Sequence, residues 1–247
     1  MRLPRLPDLL TTANLSCGVA SILLASQGQL TSACWLVFAG AVFDVFDGLA
    51  ARALGGGSAL GKQLDSLADM VTFGVAPGIL SLRLVGFPVS MVLLQEGVRM
   101  ETATMVGYAT VLIIPIASAW RLARFNIDDR QHSGFIGLPT PANALFWASL
   151  TLGAASYSAT LPRVWALLLD VRTAGALMVA LSALMLSSIP LPSLKFKHFR
   201  WRGNEVIYLL IGAGAVLVAL YGVLAVPLVL FLYLLSPLWG RIFAKTT

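Results

Sequence analysis

Four aspartates stand inside a chain that is otherwise greasy: "DVFDGLAARALGGGSALGKQLDSLAD", residues 44–69, carries Asp44, Asp47, Asp65 and Asp69. The first pair is three residues apart and the second four, so on helices each pair shares a face. The segment from Ala53 to Gln63 is short, which makes the two helices antiparallel neighbours and gathers four like charges at one depth. An uncompensated carboxylate near a bilayer centre costs ~3 kcal/mol even on the lenient insertion scale. Arg52 and Lys62 are the cations nearby in sequence, two against four, so the balance is best met by divalent cations. Oxygen-only ligands favour Mg²⁺, Mn²⁺ or Ca²⁺ over zinc. Two ions about 3.5–4 Å apart, bridged by aspartates, form a clamp for displacement at phosphorus. The same carboxylates can instead be interhelical glue or line the path of a divalent-cation transporter; broken helices or a repeated half, which would favour transport, are not clear in the sequence.

The elements that must hold these residues are membrane helices. Of 247 residues, 58% are hydrophobic and 11% charged, well under the roughly one-quarter charged share of a soluble domain. Apolar spans of ~20 residues, the length a bilayer core requires, recur at about Leu9–Ala25, Thr31–Leu54, Leu64–Leu84, Ala103–Phe125, Pro141–Leu161 and Val171–Pro190. No charge interrupts the chain between Glu205 and Arg241, and a single helix there would exceed ~50 Å. A turn near Gly222 to Pro227 divides it into two short spans. The expectation is an all-α, polytopic transmembrane bundle of about eight spans in one domain over 1–247: a six-helix catalytic core over 1–190 and two additional helices over 205–243.

Eight spans leave Arg83, Arg99, Arg163 and Arg172 on one side and the other thirteen of the seventeen basic residues on the opposite side. The richer side is cytoplasmic. Both termini and the aspartate-bearing connection then face the cytoplasm of a multi-pass plasma-membrane protein, and the net charge of +6 suits anionic lipid surfaces. Thr11, Thr12, Asn14 and Ser16 make the first span one that faces protein or a cavity more than lipid. Pro4, Pro7 and Asp8 argue against a cleaved leader, and Cys17 and Cys34, each within an apolar span, against a structural disulfide.

"GGSALGKQ", residues 56–63, nearly spells a nucleotide-hydrolase phosphate loop. Gln63 stands where a magnesium-binding hydroxyl belongs, and a membrane helix rather than a strand precedes it. Gly55, Gly56, Gly57 and Gly61 still allow a sharp turn whose N–H groups face an anion. Asp8, Asp128, Asp129 and Asp170 read as solvated or capping residues. His132 and His198 lack metal-ligand spacing. "KFKHFRWR", residues 195–202, alternates basic and aromatic residues; directly after a membrane span it reads as a headgroup-binding strip rather than a nucleic-acid patch.

Together Asp44, Asp47, Gly48, Ala51, Arg52, Gly61, Asp65 and Asp69 spell DxxDGxxAR, an eight-residue gap, then GxxxDxxxD. This resembles the signature of the CDP-alcohol phosphotransferase family of membrane enzymes. "ADMVTFGVAPG" (68–78), "RLARFN" (121–126), "GLPTPA" (137–142) and "SSIPLPSLKFK" (187–197) resemble segments of its phosphatidylserine synthase branch. The resemblance implies two divalent cations, one held by Asp44, Asp47 and Asp65 and the other by Asp44, Asp65 and Asp69, with Asp69 as general base. It implies CDP-diacylglycerol as donor, with Gly48, Ala51, Arg52 and Ser58 at the nucleotide and diphosphate and Thr11 and Asn14 on the same side, and L-serine as acceptor. Asp8 stands where the family often has Asn. Arg121 and Arg124, three apart on one face, can grip a serine carboxylate, or be ordinary cytoplasmic flanks. Asn126 orients the substrate or caps its helix, and Lys195, by resemblance alone, helps bind the donor diphosphate or serine. Other acceptors, such as glycerol 3-phosphate or inositol phosphate, share the core signature. Membrane lipids are the remaining partners, and a homodimer stays open.

Overall fold

The computed structural model describes residues 5–56, 58–127, 135–156, 167–191 and 205–244. Among these, eight long helical rods follow one another: α1 (Leu6–Ser26), α2 (Leu30–Ala53), α3 (Ala59–Gln95), α4 (Met100–Ile127), α5 (Thr140–Ser156), α6 (Val171–Leu186), α7 (Glu205–Tyr221) and α8 (Val226–Ala244). A two-residue antiparallel pairing joins β1 (Phe135–Ile136) to β2 (Pro190–Leu191). By length and composition five stretches can cross a bilayer: α1, α2, α3, α4 and Ile207–Ser236. The last folds back on itself as the sequence predicts, through a 3₁₀ turn at Gly222–Ala225, and a Cβ placed on Gly214 would lie 3.7 Å from Val229.

The third rod runs on to Gln95, past the expected end at Leu84. Two π-helical segments, Met70–Val75 and Leu82–Gly86, carry it. Each lies just before a proline, Pro77 or Pro88. Proline offers no N–H and its ring crowds the carbonyl four residues back; a widened turn accommodates both without breaking the helix. The first π segment begins at the residue after Asp69.

Small residues let the first three rods approach closely, as membrane helices require. A Cβ on Gly40 would lie 2.6 Å from Thr72 Cγ2, and one on Gly18 would overlap the Thr72 hydroxyl. That hydroxyl donates to the Asn14 carbonyl at 2.9 Å. α5 is the central rod. Ala144, Ala148 and Leu152 pack toward α1–α3, whereas Phe146, Trp147 and Leu150 face the cluster formed with α4, α6 and α8. Large apolar side chains such as Leu23, Trp35, Phe46, Met105, Ile116 and Leu220 remain exposed around the outside, as expected of a surface solvated by lipid.

Candidate active site at one end of the bundle

The connection from α2 to α3 sets the site. α2 ends in a paired-bond cap: Gly56 N–H donates to the Ala51 carbonyl at 2.9 Å and Gly55 N–H to that of Arg52 at 3.4 Å. This cap needs a left-handed residue, and Gly55 supplies it at φ +87. Ser58 then caps α3, accepting from Gly61 N–H at 2.9 Å. Backbone contact between α2 and the first turns of α3 is slight, and α1 packs against both. The carboxylates span the gap.

Asp44, Asp47 and Asp65 each place an oxygen within 4.8 Å of the others. Asp69 lies against Asp44 and feels the charges of Asp65 and Asp47. Asp47 and Asp69 are buried, at 6% and 8% exposure. Two neutral side-chain donors from α1 reach them: Thr11 Oγ1 to Asp47 at 2.7 Å and Asn14 Nδ2 to Asp69 at 3.2 Å. Lys62, expected to offset the cluster, instead donates to the Asn126 carbonyl at 2.9 Å. An all-oxygen, strongly anionic donor set in a low-dielectric site fits a hard divalent cation. The Asp44–Asp47–Asp65 group can therefore bind a metal.

A cavity of about 430 Å³ opens onto this cluster. Thr11, Asp47, Gly48, Ala51, Ser58 and Asp65 line it, all expected from the sequence. Arg5, Asp8 and Lys62 complete a polar mouth; of these, Arg5 had no expected place there. Arg52, expected there from the sequence, is exposed and is not among the lining residues. The one neighbour within 4 Å of a Cβ on Gly48 would be Arg52 Nη1, at 3.5 Å. Helix packing therefore does not demand glycine here, and the missing side chain leaves room in the cavity.

Arg121 is buried at 8% exposure and near enough to Asp69 to feel its charge. Its Nη1 donates to Thr140 Oγ1 at 2.9 Å, while its Nε is buried without a partner among the described residues. Arg124 does not join it: exposed, it donates to the Leu186 carbonyl at 3.0 Å, at the end of α6. Asn126 exchanges hydrogen bonds with Ser66 at 2.9 and 3.2 Å, tying α4 to the helix that carries Asp65 and Asp69. Lys195 lies outside the described residues.

A model of the CDP-alcohol phosphatidyltransferase family matches residues 5–236. The chain belongs to this family. It is 34% identical over 200 residues to the CDP-diacylglycerol–serine O-phosphatidyltransferase of Bacillus subtilis, covering 81% of this chain and 94% of that one. The Helicobacter pylori protein of the same name is 33% identical over 228 residues, 92% of this chain and 87% of its own. The archaetidylserine synthase of Methanothermobacter thermautotrophicus is 34% identical over 192 residues, 76% and 69%.

In this CDP-alcohol phosphatidyltransferase the "GLPTPA" segment and the end of α6 through "SSIPL" form one clasp. Gly137 N–H donates to the Ile189 carbonyl at 2.9 Å and Leu138 N–H to that of Leu184 at 3.1 Å, next to the β1–β2 pairing. The clasp seats Thr140 against Arg121. A Cβ on Gly137 would lie 2.8–2.9 Å from the carbonyl oxygens of Met185, Leu184 and Ser187, and its φ is +69. Gly137→Ala should therefore cost about 1–2 kcal/mol for the left-handed backbone and about 1–3 kcal/mol more for overpacking. Gly97→Ala, at φ +83 with nothing within 4 Å, should bear only the first cost. Thermal unfolding of both variants in detergent checks the difference. Thr140 lies within a segment singled out in the sequence, but its pairing with Arg121 leaves no sequence signal. Nor does Tyr233 of α8, buried beside Arg121.

Proposed function

We propose that this enzyme transfers the phosphatidyl group of CDP-diacylglycerol to the hydroxyl of L-serine, giving phosphatidylserine and CMP. The observation that carries the reading is one buried guanidinium, Arg121, held by Thr140 and near enough to the buried carboxylate of Asp69 to feel its charge. An acceptor held through its carboxylate by Arg121 has its hydroxyl within reach of a base. A phosphorylated acceptor would call for more cationic donors, and Arg124 is already engaged at Leu186. The names of the relatives, two serine phosphatidyltransferases and an archaetidylserine synthase, support the same acceptor.

The roles follow from position. Asp69 takes the proton of the serine hydroxyl as that oxygen attacks the phosphorus bearing diacylglycerol; a P–O bond forms to serine and the P–O bond to CMP breaks. Asn14 holds Asp69 in place. Gly48, Ala51 and Ser58 admit the nucleotide, and Arg52, whose Nη1 lies near Gly48, attends the diphosphate. Two divalent cations, Mg²⁺, Mn²⁺ or Ca²⁺, held by Asp44, Asp47 and Asp65 and by Asp44, Asp65 and Asp69, would neutralise the diphosphate when bound. The eight rods act as eight spans of a plasma-membrane protein, with the six-helix core carrying the chemistry at the cytoplasmic face, where soluble serine arrives.

Purified protein given radiolabelled CDP-diacylglycerol and, separately, L-serine, glycerol 3-phosphate, inositol phosphate or choline tests the acceptor. Labelled phosphatidylserine with matching CMP release is expected. Rapid turnover of another alcohol without use of serine would reject the assignment.

A further inference from the structure

A second cavity, of about 460 Å³, lies between the start of α5 and the α7–α8 pair. Its floor is buried, with Ile207, Leu210, Leu230 and Tyr233 at 6–7% exposure, whereas Ile211 and Val218 on its rim are more than half exposed. It is thus a groove open to the side of the bundle. From Ile207 to Val218 it follows α7 for about 16 Å at the helical rise. Its lining is hydrocarbon apart from the Tyr233 hydroxyl. Such a surface does not retain water and suits an alkyl chain.

The polar end of the groove lies toward Arg121, through Tyr233 and the segment that carries Thr140. Tyr233 is buried beside Arg121. Pro139, another wall residue, directly precedes Thr140, which accepts from Arg121. Arg121 in turn neighbours Asp69. A chain lying in the groove would start next to the reacting groups and run along α7 in the direction a lipid tail takes.

We propose that this groove holds one acyl chain of the diacylglycerol moiety that passes from donor lipid to product. The inference rests on the function proposed above. Because that moiety is the same in CDP-diacylglycerol and phosphatidylserine, a single slot serves both without any bond of the chain changing. The last two helices thereby gain a role in the reaction, as the outer walls of the lipid site.

Gly214→Leu tests this. A Cβ at that position meets only Val229 methyls, at 3.7–3.8 Å, so the added branch enters the groove without forcing the backbone. With a dipalmitoyl donor, donor affinity and kcat/KM should fall at least about tenfold, the equivalent of roughly two methylenes losing their burial. With a dihexanoyl donor, and for the serine KM, the variant should match the parent enzyme. Gly212→Leu, at a position with nothing within 4 Å and outside the groove lining, should change neither donor. Equal losses with both donors, or none with either, overturn the proposal; so does a changed oligomeric state, which would assign the groove to a second copy of the chain. Should Gly214→Leu not fold, Val218→Phe at the exposed rim takes its place. Donor binding is also measured without acceptor, so the groove stands or falls even where serine proves not to be used.

Discussion

Asp69→Asn is expected to lower turnover about a thousandfold, within the ~10²–10⁴ that a positioned general base contributes, while folding and donor binding persist. The substitution removes the proton acceptor but keeps the shape. Asn14 Nδ2 donates to Asp69 Oδ1 at 3.2 Å. An asparagine at 69 still presents a carbonyl to that donor, and it takes one charge out of a cluster of like charges. Thermal stability should therefore hold or rise. The closest trio of ligand oxygens belongs to Asp44, Asp47 and Asp65, so one metal position survives the change. The measurements are single-turnover CMP release, donor affinity and unfolding temperature on the same preparation. Turnover within tenfold of the parent enzyme would remove Asp69 from the role of base.

The carboxylate cluster was legible because its information is local. Spacings of three and four residues, on two helices joined by a short glycine-rich link, fix a face and bring the ends together with little help from the rest of the chain. Thr11 and Asn14 also announced themselves, as polar residues in an apolar span, although not as the donors that hold Asp47 and Asp69. Arg121 and Arg124 mark the limit of such reasoning. Spacing put them on one face, but depth separates them: the first lies under α5 against Thr140 and the second reaches the end of α6 at the surface. The expectation that Lys62 offsets the aspartates met the same limit, since a flexible side chain can choose the Asn126 carbonyl instead. The clasp joins residues about fifty apart through backbone hydrogen bonds, which leave a signature only in Gly137. Tyr233 reaches the site through tertiary packing alone.

Asp44→Ala is expected to reduce divalent-cation affinity by at least about a hundredfold, since loss of even an outer-sphere partner of a metal costs ~10–100-fold. Asp44 stands at the centre of the cluster, grouped with Asp47 and Asp65 and in contact with Asp69, and it is the shared ligand in the two-ion arrangement. Titration with Mn²⁺ should show both ions lost in Asp44→Ala and one retained in Asp47→Ala. Stability supplies an independent sign. Without metal at mildly alkaline pH, the clustered carboxylates repel one another by an amount of order 4 kcal/mol per close pair at an effective dielectric near 20, so removing one should raise the unfolding temperature. With metal in excess the order should reverse. A ligand at about 100 Kd stabilises the fold that binds it by about 2.7 kcal/mol, a gain open to the parent protein and closed to the variant. A structural glue role predicts the opposite in chelator, with Asp44→Ala less stable and added metal without effect on either protein. Unchanged metal affinity would likewise dismiss the shared-ligand arrangement, so the crossing of the two stability orders is what separates a metal centre from a buried polar contact.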